Sequence, residues 1–225
     1  MRQTLSAQRN RRNVGQKRAP GRPRSEHARI AILRTTLQVL AESGFADLTI
    51  EEVAQRAGVG KATVYRWWRD KAALIADAFA NSTVSKLHFP DTGSVETDLS
   101  QQMRQVIKIF RSPRGRIVSA ILAAGQSDKT LITAFRDRFM MPRRQEAYAT
   151  LDRGVARGEL SKNIDRDLLL DSLYGPIYMR FLIQHDELTP EFVGSLCALV
   201  LRGARPLERR TSRNGFTPNL DRAAS

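Results

Sequence analysis

Apolar positions near the start of the chain follow the spacing of a helix with one buried face. From Ile30 onward, side chains suited to burial recur at positions 30, 33, 37, 40 and 41. This is the repeat expected of an amphipathic α-helix. Ser25 precedes the repeat as a capping residue, and Gly44 follows it as a residue that commonly ends helices. The pattern predicts a first helix between these two residues.

Two shorter helices are predicted next, separated by a turn that contains glycine. Thr49 and Glu52 have the spacing of a capping box. The positions after Thr49 form one apolar stripe, made of Ile50, Val53, Ala54 and Ala57. Gly58 ends this helix, and residues 61–68 have room for about two further helical turns.

The rest of the chain repeats this helical pattern and shows no strand alternation. Asp70 caps a longer segment, and Pro142 predicts a kink in a long helix over residues 128–158. Asn163 or Asp165 caps the next helix, and Thr189 opens the last one. Further helices are predicted over residues 95–110, 117–124, 168–183 and 190–202. The sequence therefore predicts an all-α protein of about nine helices.

Positive charge is concentrated at the two ends of the 225-residue chain, whose formal net charge is +14. Residues 1–24 carry eight Lys or Arg and no acidic residue, whereas residues 25–203 carry 24 basic and 21 acidic residues. Residues 204–225 add five basic and two acidic side chains. A nearly neutral body with cationic ends favours a polyanionic partner.

Composition excludes several other classes of protein. A single cysteine, Cys197, cannot form an intramolecular disulfide, and three widely separated histidines make a Cys/His zinc site implausible. No segment approaches the roughly 18 consecutive apolar residues of a transmembrane helix. The basic N-terminus lacks the apolar core of a secretory signal. We therefore expect a cytoplasmic protein with no membrane partner, no metal and no cofactor.

The segment from Leu48 to Lys71 has the pattern of a helix-turn-helix. Ala54 is small enough to let a second helix cross closely above it. Gly58 supplies a backbone position with positive φ, and Val59 fills the space beneath the turn. A helical hairpin that binds nothing has the same pattern. The outward-facing residues of the second helix must therefore distinguish a DNA-binding unit from such a hairpin.

The second helix of this unit presents a polar and aromatic outer face. At 100° per residue, Val64 and Trp68 face the core, while Ala62 and Arg66 point the opposite way. This arrangement suits the major groove of DNA, where arginine can bind guanine O6 and N7. Hydroxyl and ammonium groups suit phosphates, and Trp67 serves either as support or as a phosphate contact. The flanking candidates are Lys61, Thr63, Tyr65 and Trp67, with Thr49 and Lys71 as further phosphate contacts.

The same segment resembles the DNA-binding signature of TetR-type transcriptional regulators. The resemblance is carried by Thr49, Val53-Ala54, Ala57-Gly58-Val59, Thr63-Val64-Tyr65, Trp68, Lys71 and Leu74, and is dense from residue 29 to 79. It implies a bacterial homodimer that reads a palindromic operator in double-stranded DNA, most often as a repressor. The DNA-contacting positions that it implies are Thr49, Lys61, Ala62, Thr63, Tyr65, Trp67 and Lys71.

The N-terminal arm contains a further candidate for DNA binding. Residues 20–24, Pro-Gly-Arg-Pro-Arg, resemble the Gly-Arg-Pro core of AT-hooks, which lay arginines into a narrow minor groove. Arg22 and Arg24 are the candidate contacts. A solvated tail without a binding role is the other interpretation.

With this resemblance, the chain divides into four predicted parts. A disordered basic arm (1–24) precedes a helix-turn-helix domain (25–86). A helical domain for effector binding and dimerisation (87–203) follows, and then a flexible basic tail (204–225). Segments such as 134–139 and 173–178 resemble, more faintly, the C-terminal domain of a TetR-type subgroup.

The last two helices are apolar on more than one face, which predicts a partner beyond their own core. The same helices of a second copy would supply that partner, although a central helix wholly inside one monomer remains open. An effector cavity is expected between the middle helices, with Arg104 or Gln126 as polar anchors. Its candidate lining is Met103, Ile107, Phe110, Ile121, Phe135, Phe139, Tyr174 and Tyr178, for each of which simple core packing is the other interpretation.

These observations favour a homodimeric, ligand-responsive DNA-binding regulator whose small-molecule effector is unknown. A constitutive architectural DNA-binding protein without an effector is the alternative. An enzyme is disfavoured because no nucleophile–base pair, phosphate-binding loop or metal set occurs in residues 80–203.

Overall fold

The computed structural model describes residues 25–206, and every regular element among them is helical. Residues 129–156 form one uninterrupted helical run composed of α7, a π-helical turn and α8, so the described residues contain nine helical runs. The predicted all-α fold of about nine helices is confirmed. The helices are α1 (Glu26–Asp47), α2 (Ile50–Arg56), α3 (Lys61–Tyr65), α4 (Lys71–Thr83), α5 (Val95–Phe110), α6 (Pro113–Gly125), α7 (Lys129–Phe135), α8 (Met141–Ala156), α9 (Arg166–Ile183) and α10 (Pro190–Ala204).

Capping residues define the helix starts as the sequence predicts. The side chains of Ser25, Thr49, Asp70 and Thr189 each accept a hydrogen bond from a backbone N–H in the first turn of the following helix. Asp165, rather than Asn163, caps α9. Gly44 has φ +78° and interrupts α1, after which one irregular turn continues to Asp47.

The long helical run is irregular one turn earlier than the sequence predicts. Arg136–Met140 form the π-helical turn, and Pro142 lies in the first turn of α8. Because proline cannot donate a backbone hydrogen bond and crowds the preceding turn, the wider turn before it relieves the conflict. Pro176, by contrast, lies inside α9 without ending it.

One continuous hydrophobic core extends from Ile32 in α1 to Ala204 in α10. Helices α2 and α3 pack on each other, and α2 packs on α1. Helix α1 also packs against α6, and α4 against α7 and the π-helical turn. Helix α5 lies at the centre of the C-terminal part, in contact with α6, α8, α9 and α10. The N-terminal helices therefore rest on the C-terminal helices through α1 and α4, while α2 packs on α1 and α3 packs on α2.

Candidate nucleic-acid interface and internal cavity

Local hydrogen bonds define the start of α2 and the turn that leads from α2 to α3. The Thr49 hydroxyl accepts from the N–H of Glu52 at 3.2 Å. At the other end of α2, Gly58 has φ +66°, and the N–H of Val59 donates to the carbonyl of Ala54 at 3.0 Å. A side chain at position 58 would be strained in this conformation, which explains the glycine in the turn.

Helix α3 is shorter than predicted, because regular helix ends at Tyr65 rather than Trp68. The N–H groups of Trp67 and Trp68 both donate to the Val64 carbonyl, at 2.9 and 3.0 Å, so the chain closes in a tight turn. Val64 and Trp68 are buried to 0% and 1% exposure, as the helical pattern predicts. They anchor α3 to the core.

The outward side chains of α3 are accessible. Lys61, Ala62, Tyr65 and Arg66 are exposed, and Thr63 is half-buried. The Lys61 ammonium lies 2.7 Å from the Glu51 carboxylate. Its hydrogen bond lowers the pKa of Glu51. A DNA phosphate would therefore compete with Glu51 for Lys61.

Trp67 is half-buried and packs against the core. Its ring centre lies 6.1 Å from that of Trp68, and the Arg29 guanidinium lies 5.6 Å from the Trp67 ring centre. Trp67 thus supports α3 in the unbound protein.

Lys71 has a structural task in addition to its predicted DNA contact. Its ammonium donates to the carbonyls of Phe45, Ala46 and Leu48 at 3.0, 3.4 and 3.5 Å. It also lies 4.3 Å from the Phe45 ring centre. The cation thereby satisfies carbonyls left without helical partners beyond Gly44. The other two predicted contacts, Arg22 and Arg24, lie outside the described residues.

A polar chain of hydrogen-bonded side chains, made of Trp68, Asp77 and Arg138, joins the end of α3 to the C-terminal helices. The sequence does not reveal it. The Trp68 indole N–H donates to Asp77 Oδ2 at 2.7 Å. Arg138, in the π-helical turn, donates to Asp77 Oδ1 at 2.8 Å. The acid and the arginine are 61 positions apart, so no local pattern could have indicated this contact.

A cavity of about 270 Å³ lies between α4, α5, α8 and α9. Of the predicted lining residues, Phe110, Phe139, Tyr174 and Tyr178 face it. The sequence missed five polar residues that also line it, namely Thr83, Gln102, Arg143, Arg144 and Asp171. Their spacing in the sequence gives no sign that they converge.

The other four predicted lining residues do not face this cavity, and this corrects the predicted set. Helix α5 presents Gln102 and Val106 to the cavity, which turns their neighbours Met103 and Ile107 away by about 100°. Met103 instead contacts Cys197 of α10, with 3.3 Å between the two sulfur atoms. The residues that belong to the solid core are Met103, Ile107, Ile121 and Phe135, each at most 2% exposed.

The predicted polar anchors also lie elsewhere. Arg104 is exposed on α5, and Gln126 is exposed while its amide donates to the Leu122 carbonyl at 3.1 Å. Neither side chain lines the cavity.

Comparison with known proteins decides the family. Residues 32–78 match the family model of the bacterial regulatory proteins of the tetR family. Residues 89–200 match the model of the tetracyclin repressor-like C-terminal domain. The HTH-type transcriptional regulator YdeS of Bacillus subtilis is 38% identical over 82% of this chain and 93% of its own. The chain belongs to the TetR family of transcriptional regulators.

Two further similarities support this TetR-family assignment. The DNA-binding transcriptional repressor TetR of Mycobacteroides abscessus is 31% identical over 79% of this chain and 94% of its own. The crystal structure of the TetR family transcription regulator SCO0332 superposes with a TM-score of 0.69 at 35% identity. The superposition covers 80% of this chain and 100% of the SCO0332 chain. The chain is thus a helix-turn-helix, DNA-binding regulator, as its sequence predicts.

This TetR-family chain leaves an apolar stripe exposed on its last two helices. The four most exposed large apolar side chains of residues 25–206 are Leu168, Met179 and Ile183 on α9 and Leu199 on α10, each at least 60% exposed. On α9, Leu168, Gly175, Met179 and Leu182 recur at helical spacing on the exposed side, with the half-buried Ser172 between the first two. Such a stripe on one side of a helix is typical of a surface that packs on another helix.

No helix among the described residues of this TetR-family protein has both the length and the apolar character to cross a bilayer. Within residues 25–206, no group of three or more His, Cys, Asp or Glu side chains is arranged to hold a metal ion.

Proposed function

We propose that this TetR-family regulator is a homodimeric repressor that reads a palindromic operator through α3 and responds to a small molecule in its cavity. The observation that carries the proposal is the outer face of α3. This face presents exposed polar and aromatic groups on a base held rigidly by buried Val64 and Trp68.

The chemistry of this face suits the major groove. Arg66 is exposed, and an arginine fork matches guanine O6 and N7. The hydroxyls of Thr63 and Tyr65 suit phosphate or base edges, and Ala62 allows close approach. The proposed DNA-contacting set is Thr49, Lys61, Ala62, Thr63, Tyr65, Arg66, Trp67 and Lys71, with Arg22 and Arg24 of the basic arm.

The apolar stripe on α9 and α10 supports dimerisation. A second copy that packs the same stripe against it would form a two-fold four-helix interface. On α9, Gly175 is exposed, and a Cβ added there would meet nothing within 4 Å in one chain. A glycine at such a point lets a partner helix approach closely. Two copies would then present their α3 helices to successive major grooves about 34–36 Å apart.

The cavity supports an effector response because it adjoins the polar chain that holds α3. Phe139 lines the cavity and stacks edge-on against Phe79 of α4, with ring centres 4.8 Å apart. Arg138, its neighbour in the π-helical turn, holds Asp77, which in turn holds Trp68. A ligand that moves Phe139 would therefore shift the support of α3 and favour a dimer with wrongly spaced reading helices. Repression is supported by the similarity to the DNA-binding transcriptional repressor of Mycobacteroides abscessus.

Selection of binding sites from a random DNA pool tests the operator proposal. We expect a palindrome for the unaltered protein. The double variant Tyr65→Ala/Arg66→Ala should keep its fold and lose preference for that site by about tenfold or more, since one bidentate base contact is worth about 1–3 kcal/mol. Arg116→Ala is the matched control, because Arg116 is exposed on α6, far along the chain from α3. Undiminished discrimination by the double variant would overturn the proposal.

The charge pattern also supports a second candidate, a constitutive architectural DNA-binding protein. The eight cations of residues 1–24 would then supply most of the affinity. We expect deletion of residues 1–24 to lower the salt slope of log K by up to about 0.9 for each lost phosphate contact, while preference for the selected site remains. Loss of nearly all binding without any change in specificity would favour the architectural protein. An unchanged slope would remove the arm from DNA binding.

A further inference from the structure

The aromatic walls of the cavity indicate what kind of ligand would fit it. Phe79, Phe89, Phe110 and Phe139 line it together with Tyr174 and Tyr178. Apolar and aromatic walls of this kind favour a ligand with a flat, apolar body.

Most polar groups that line the cavity already have partners within the chain. The Tyr174 hydroxyl donates to the Gln102 side-chain oxygen. Arg144 forms ion pairs with Asp167 at 2.7 Å and Asp171 at 2.8 Å. These groups gain little from an additional acceptor.

Arg143 differs from them. Its Nε is buried and has no hydrogen-bond partner among the described residues. The guanidinium lies 5.7 Å from the ring centre of Phe89, another lining residue, and it forms an ion pair with Glu146, whose side chain is 48% exposed. A buried, unsatisfied guanidinium N–H is unfavourable, and an anionic acceptor relieves it with a strong charge-assisted bond.

The two arginines of the lining differ in where their ion-pair partners lie. Arg144 pairs with Asp171, which also lines the cavity, whereas Arg143 pairs with Glu146, which does not. Burial raises the pKa of Tyr178 to about 12, and it raises the pKa of Tyr174 as well. Both phenols therefore stay neutral near pH 7 and add no opposing negative charge.

We propose that the effector is an organic acid with an apolar, aromatic-sized body, whose anionic group binds Arg143 at the wall of the cavity. This rests on the proposed effector function and specifies the chemistry of its ligand. Arg143 acts as the specificity-determining residue, because it separates acids from neutral molecules of the same shape.

Two fluorescent probes with the same ring skeleton test this on the full-length protein. The first is 8-anilinonaphthalene-1-sulfonate, which is anionic, and the second is N-phenyl-1-naphthylamine, which lacks the sulfonate. We expect Arg143→Gln to weaken the sulfonate probe by about tenfold or more, the range of a lost hydrogen bond to a charged group. It should change affinity for the neutral probe less than twofold.

Matched variants separate this effect from general damage. Arg104→Gln removes the same charge from an exposed position outside the cavity and should alter neither probe. Arg143→Lys keeps the positive charge and should recover part of the sulfonate affinity. Circular dichroism spectra and operator binding without probe report whether each variant is folded.

The outcomes distinguish the ligand class from the effector function itself. If Arg143→Gln weakens both probes equally, or neither, the acid specificity is overturned while the cavity remains a ligand site. Ala147 also lines the cavity, so Ala147→Phe should fill it and weaken both probes. If Ala147→Phe weakens neither, the probes bind elsewhere, and both the acid specificity and the cavity as effector site are overturned.

Discussion

The Trp68 indole connects the DNA-reading unit to the rest of the protein through a single hydrogen bond to Asp77. The helical pattern places Trp68 in the core, and its 1% exposure confirms this. The partner of its N–H is not encoded locally, because it depends on how α4 packs beside the α3 turn. Lys71 shows the same limit, since its long side chain reaches carbonyls more than 20 positions away.

Replacing Trp68 with phenylalanine tests this connection. Trp68→Phe keeps an aromatic ring but removes the N–H donor from the partly buried Asp77 carboxylate. We expect a loss of about 1–3 kcal/mol in the free energy of unfolding, measured by urea denaturation. Operator affinity should fall as well, because α3 loses its tether. Trp67→Phe is the neighbouring control, expected to destabilise less because Trp67 is only half-buried. Equal losses in the free energy of unfolding for the two variants would argue against the Trp68–Asp77 tether.

The sequence predicts where the helices start better than how they face one another. Capping side chains are local signals, so Ser25, Thr49 and Asp70 could be identified from the chain alone. The rotation of α5 is set by contacts with four other helices, so the spacing of apolar residues does not reveal that Met103 faces α10 rather than the cavity.

The crossing of α5 and α8 depends on Gly154. A Cβ built there would lie 2.9 Å from Val95 Cβ and 3.2 Å from Leu160 Cδ1. Gly154→Ala should therefore lower the free energy of unfolding by about 1–3 kcal/mol, despite the better helix propensity of alanine. Ala149→Gly, at an exposed position of the same helix, measures the intrinsic difference between the two residues, about 0.5–1 kcal/mol. A Gly154→Ala protein as stable as the parent would show that the helices can move apart.

The exposed apolar stripe on α9 and α10 should control assembly of the protein into dimers. Met179 is 60% exposed in one chain, so Met179→Glu should leave the fold of that chain intact. Within a dimer it would bury two carboxylates, and we expect the dimer dissociation constant to rise more than about a hundredfold. Sedimentation equilibrium measures this change, and operator affinity should fall with it. Met141→Glu, at an exposed methionine outside α9 and α10, is the control. A Met179→Glu protein that stays dimeric would place the interface elsewhere.

The uninterrupted core limits how the protein can be engineered. Helices α1 and α4 bury side chains against α6, α7 and the π-helical turn, so the boundary near residue 86 is not a seam in the hydrophobic interior. A chimeric sensor that joins residues 25–86 to the body of another regulator would have to reproduce this shared packing. Transplanting the reading unit therefore requires co-designing the surfaces on which α1 and α4 rest, and the linker alone cannot make the two halves interchangeable.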